Sequence, residues 1–91
     1  MNSESFLLEN IIRNYNEGGV KMDKYCVNKN TENPGGNHEV HKYSCNWLPE
    51  PHNREYLGEF ADCHGAVKEA ENRGYSNVDG CIHCSPACHT E

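Results

Sequence analysis

Close to the end of this 91-residue chain, Gly80 is followed by Cys81-Ile82-His83-Cys84. Two cysteines at this spacing in a tight turn bring both thiolates to one cation, each at about 2.3 Å. Gly80 suits such a turn because glycine tolerates positive φ. One CxxC supplies half of a tetrahedral set, so a second pair is expected tens of residues away. His41-Lys42-Tyr43-Ser44-Cys45 is the best match, at the end of a strand entering a turn. The four residues His41, Cys45, Cys81 and Cys84 then form a Cys₃His set for Zn²⁺. Zinc in such a set supplies about 10–16 kcal/mol of folding free energy, as much as the entire stability of a small domain.

The chain needs such a staple. Only 35% of its residues are apolar and 24% are charged, enough for one modest core. Eight Lys+Arg against fourteen Asp+Glu leave a net charge of −6. That charge argues against nucleic acid as a partner, since phosphate binding needs a basic face. No apolar run reaches the roughly 18 residues of a membrane span. Six cysteines without a secretory leader favour reduced thiols, hence metal over disulfides, and a cytoplasmic, monomeric protein.

Residues 1–21 carry Phe6, Leu7, Leu8, Ile11, Ile12 and Tyr15 at helical spacing, between Ser3 as N-cap and Gly18 as stop. They predict an amphipathic helix or a loose extension. A start at Met22 is the alternative, with Gly18-Gly19 as a translated ribosome-binding site. Residues 22–91 form the domain, and residues 28–37 are a turn-rich loop. Strands are expected over His38–Tyr43 and Arg54–Phe60, with Tyr25 and Val27 adding an edge strand. Asp62 caps a helix running to about Arg73, and Gly74 stops it. Cys63, Ala66, Val67 and Ala70 share one helix face, and Glu69 pairs with Arg73. The fold class is α+β: a short antiparallel sheet, one main helix and a CxxC knuckle.

Other chemistries fail on spacing. His38-Glu39-Val40-His41 is one residue short of HExxH, and its two rings splay apart on a strand. A zinc deaminase needs H-x-E ahead of P-C-x-x-C, but His89-Thr90-Glu91 follows the CxxC. A redox CxxC opens a helix early in a larger α/β unit. An EF-hand loop is absent. Cys63 is expected as a buried, inert thiol. The alternatives are exchange of Cys88 or His89 into the first site, a second metal site of Cys63, His64, Cys88 and His89, or a Cys63–Cys88 bridge. Cys26 is a strand thiol, and His52 and His83 face solvent. Trp47 covers the core beside the zinc or, alternatively, anchors a partner.

The order His41-x₃-Cys45, a strand with Asn53-Arg54-Glu55-Tyr56-Leu57, a helix ending in Gly74-Tyr75, then Cys81-x₂-Cys84-Ser85-Pro86 resembles the metal-binding domain of the Ada methyl-phosphotriester repair proteins. It is even more similar to the Ada-like zinc modules appended to bacterial nucleases, in which His often replaces the first Cys. The resemblance spans about residues 38–86. It implies the fold and the ligands His41, Cys45, Cys81 and Cys84. It does not imply methyl transfer, because His41 stands where those repair proteins carry the methyl-accepting Cys. Residues Ser76 to Asp79 are additional to the pattern. The chain also resembles a group of short bacterial proteins sharing His-Glu-Val-His and Cys-x-Trp-Leu-Pro. A small binding or interaction module is expected, not an enzyme. A reactive zinc-thiolate or a DNA-processing accessory protein is the alternative.

Overall fold

The computed structural model describes residues 19–90, so the predicted N-terminal stripe lies outside the described residues. The fold is α+β. Strands β1 (Asp23–Asn28), β2 (His38–Lys42), β3 (Arg54–Phe60) and β4 (Val78–Gly80) form one sheet in the order β3-β1-β2-β4. Among the described residues one α-helix, α1 (Cys63–Asn72), follows β3.

Two expectations about the sheet are corrected. The strand around Tyr25 is not at the edge: β1 pairs antiparallel with both β2 and β3. Tyr25, Cys26 and Val27 are 1%, 0% and 0% exposed. A strand buried on both faces loses the apolar–polar alternation that reveals a half-exposed one. The sheet is also mixed, not purely antiparallel, because β4 lies parallel to β2 with Val40 opposite Gly80. Two residues of β4, Val78 and Asp79, fall in the Ser76–Asp79 stretch that is additional to the Ada-like pattern. Three residues are too few to carry a periodicity of their own.

Side chains alternate across the sheet, and one face meets the helix. Tyr25, Val27, Val40 and Leu57 pack against Cys63, Ala66 and Ala70, with Phe60, Val67, Tyr75 and Val78 around them. Ala66 and Ala70 are fully buried, and their small side chains let α1 lie close on the strands. Both predicted caps form. The Asp62 carboxylate accepts the His64 N–H at 2.9 Å. At the other end Tyr75 N–H donates to Ala70 O and Gly74 N–H to Glu71 O, with Gly74 at φ +99°. This is the Schellman arrangement, which needs a left-handed residue at that place.

Arg73 then ties the helix end to β3. It donates to Glu69 and to Glu55, each at 2.8 Å, and to Tyr56 O at 2.9 Å. Tyr75 Oη donates to Glu55 at 2.6 Å. These two donors hold the Glu55 carboxyl below its ordinary range. Ion pairs this exposed contribute little to stability; they set the register of the helix end.

Cys63 is not a free thiol. It is joined to Cys88 by a disulfide that ties the first residue of α1 to the turn at Pro86–Cys88. Sequence alone leaves this pairing open, because the cysteines are 25 positions apart and the chain between them passes through helix, turn and strand before returning. Cys26 is buried in β1, and burial pushes its thiol up to about 11. It therefore stays protonated and inert near neutrality.

Candidate metal centre

Two pieces of chain meet at the ends of β2 and β4. His41 lies in β2 and Cys45 in the turn after it. Cys81 follows β4 directly, and Cys84 closes the next turn. One ligand atom from each of the four residues lies within 4.8 Å of the other three. The structure thus brings together all four residues singled out from the spacing. His38 is not with them: its Nδ1 lies 2.9 Å from Asn28 O and its ring meets Tyr75 edge-on. Strand alternation sends His38 and His41 to opposite faces.

Backbone geometry shapes the cluster. Cys81 N–H donates to Val40 O at 3.0 Å, which continues the β2–β4 ladder into the knuckle. Ser85 N–H donates back to Cys81 O at 2.8 Å and closes the turn. Gly80 serves this turn differently from the expectation. It is not among the glycines with positive φ. Its need is space: a Cβ there would lie 2.6 Å from Cys88 Cβ and 2.6 Å from Ser85 O.

The donor set fits a tetrahedral thiophilic cation. Sulfurs sharing one zinc at 2.3 Å lie about 3.8 Å apart, and Cys45 Sγ is 3.9 Å from Cys81 Sγ. Each sulfur accepts a backbone N–H: Cys45 from Trp47 at 3.3 Å, Cys81 from His83 at 3.4 Å, Cys84 from Lys42 at 3.3 Å. Those dipoles offset the single negative charge that three thiolates leave on a divalent ion. With no cation beside them, burial first of all pushes the Cys45 thiol up to about 12 and raises Cys81 as well. A cation bound there would ionise the thiols it coordinates outright.

His41 supplies the most specific observation. It is 2% exposed, and its buried Nδ1 has no hydrogen-bond partner. Its other nitrogen, Nε2, lies 3.4 Å from Glu39 Oε1. Burial, with His83 adding, pulls its pKa down to about 4, so the ring is neutral near pH 7. A neutral imidazole with one free nitrogen and a carboxylate behind the other is the usual state of a metal-ligating histidine. Glu39 is the residue that the motif reading passed over. Its signal was its position two residues before His41, which places both on one face of a strand.

The Glu39 carboxylate thus stands where it would orient a ligating His41. Glu39→Ala is expected to weaken metal affinity about 10- to 100-fold and leave the sheet intact, as read by competition with a chromophoric chelator. Unchanged affinity would mean that the carboxylate plays no part.

Around the cluster the expectation for Trp47 is corrected. It does not cover the core: it is 63% exposed and stacks on His83, with ring centroids 4.5 Å apart. The short turn from Cys45 points the ring outward, across from the exposed His83 of the knuckle. Ile82 beside it is 56% exposed. Lys42, Ser44 and Asn46 join Trp47, His83, Cys45 and Cys84 around an open cleft. Among the described residues no helix is long and apolar enough to cross a membrane.

Compared with family models, with curated proteins and with solved structures, the chain matches none. Its class therefore rests on the fold and the Cys/His cluster: a small α+β domain with a candidate metal centre.

Proposed function

We propose that this chain is a small Ada-like zinc module in which His41, Cys45, Cys81 and Cys84 hold a structural Zn²⁺. The carrying observation is that four ligand atoms lie within 4.8 Å of one another while the buried His41 Nδ1 is left unpartnered. Four protein ligands close the tetrahedron and leave no position for a reacting water, so the module is a binding protein and not an enzyme. Trp47, Ile82 and His83 present the face on which a protein partner docks, since exposed aromatic anchors carry much of the energy of protein association. The net charge of −6 opposes nucleic acid as that partner.

A second reading, a reactive zinc-thiolate, has one observation in its favour. Cys45 and Cys84 are only half-buried and line the cleft beside Trp47. In that reading Cys45 accepts an alkyl group.

Native against denaturing mass spectrometry of the purified chain, followed by treatment with a methylating agent, tests both. With the Cys63–Cys88 bridge intact, one Zn²⁺ lost on denaturation, with no selective methylation of Cys45, Cys81 or Cys84, is the expected result. Absence of metal at the four residues overturns the first reading. Selective methylation of Cys45 replaces it with the second.

A further inference from the structure

We propose that Cys63, His64 and Cys88 form a second cation site gated by redox state. As a disulfide the site is closed. As two thiols it takes a thiophilic divalent cation such as Zn²⁺.

Donor atoms of these three residues lie within 4.8 Å of one another. Cys63 is the first residue of α1, and the N-terminal end of a helix favours a thiolate. His64 is exposed, and its Nδ1 lies 3.5 Å from the Asp62 carboxylate, the kind of group that orients a ligating imidazole. Two thiolates and an imidazole suit zinc in preference to hard cations. They leave the fourth position to water, in contrast to the closed Cys₃His set.

The bond and the cation exclude each other. A disulfide holds its sulfurs about 2.0 Å apart, whereas two sulfurs on one zinc stand about 3.8 Å apart. Reduction by a dithiol proceeds by attack of one thiolate on a sulfur of the bridge, giving a mixed disulfide. The second thiol of the reductant resolves it. Two electrons and two protons reach Cys63 and Cys88, and the reductant leaves as its own disulfide. On binding Zn²⁺ both thiols release their protons to water, two metal–sulfur bonds form, and a His64 nitrogen gives its lone pair.

The fold keeps the two sulfurs together once the bridge is cut. Cys88 is flanked on one side by the Cys81–Ser85 turn. On the other side Thr90 donates to the buried Asp79 carboxylate through N at 2.8 Å and through Oγ1 at 2.9 Å. His89 Nδ1 lies 3.0 Å from Gly80 O. Cys63 is held by the buried helix face. The reduced pair therefore remains preorganised for a shared cation. In a reducing compartment, where disulfides are rare, the metal-bound state prevails.

The test is a zinc count by native mass spectrometry on the full chain. One sample is oxidised. The other is reduced with a dithiol that is then removed without oxygen, and both are saturated with zinc. The reduced chain is expected to carry one more ion than the oxidised chain. His64→Ala, a change at an exposed side chain, should abolish the difference. Zinc should also protect Cys63 and Cys88 of the reduced chain from iodoacetamide. Equal counts in both forms, with Cys63 and Cys88 alkylated in the presence of zinc, overturn the proposal, as does a second ion retained in His64→Ala. Failure of the Cys₃His reading is distinct: it appears as no ion in the oxidised chain, whatever the difference between the forms.

Discussion

Cys81→Ser and Cys84→Ser each unfold the domain at neutral pH, and added zinc does not rescue them. The expected readout is collapse of amide dispersion in a two-dimensional spectrum, together with loss of the bound ion. The magnitude follows from the size of the chain. A structural zinc contributes about 10–16 kcal/mol, and a small domain has about 5–15 kcal/mol of net stability in total. The apolar core centres on Tyr25, Val27, Val40 and Leu57, with only small helix residues facing them. Such a core cannot absorb a loss of that size. A strong chelator should reproduce the effect in the unmutated chain. Native dispersion retained in either variant would count against the site.

Acid should act in the same direction. The His41 pKa is pulled down to about 4 in the folded chain, against 6.5 when free. Between these values the unfolded chain binds a proton that the folded chain refuses. The contribution of neutral His41 is therefore complete above pH 6.5 and is lost as pH falls toward 4. Protons competing for the sulfurs add to the loss.

Gly80→Ala should cost about 3 kcal/mol or more, the upper range for overpacking, and should weaken metal binding. The added Cβ would stand 2.6 Å from Ser85 O and 2.9 Å from the Cys88 carbonyl carbon. Both are backbone atoms that can retreat only by opening the turn that aims Cys81 and Cys84. Gly74→Ala is the control. Its φ of +99° strains an alanine, but nothing lies within 4 Å of the new Cβ. That change should cost about 1–2 kcal/mol and leave metal affinity intact. Denaturation midpoints of the two zinc-loaded variants decide the matter: equal losses would mean that close approach at Gly80 does not govern the knuckle.

Local chemistry was legible where it acts over a few residues. The caps at Asp62 and Gly74, the helix face of Cys63, Ala66 and Ala70, and the Glu69–Arg73 pair all depend on spacings of two to four residues. The Glu39–His41 contact was legible in principle, since residues two apart on a strand share a face. The motif HExxH drew attention to the wrong spacing. Trp47 misled because a large aromatic is usually buried, whereas here its ring stacks on His83 at the surface.

By itself the amino-acid sequence determined the fold class, the helix and its caps, and the two pairs of residues, His41 with Cys45 and Cys81 with Cys84, suited to a shared cation. The tertiary structure alone decided that β1 is central, that β4 runs parallel to β2, and that Cys63 meets Cys88. The reason is physical. Capping and ligand spacing are paid for by neighbours along the chain, so residue order records them. Strand order and the approach of distant cysteines depend on which surfaces bury one another after the chain has turned back, and that information is shared among residues far apart in sequence.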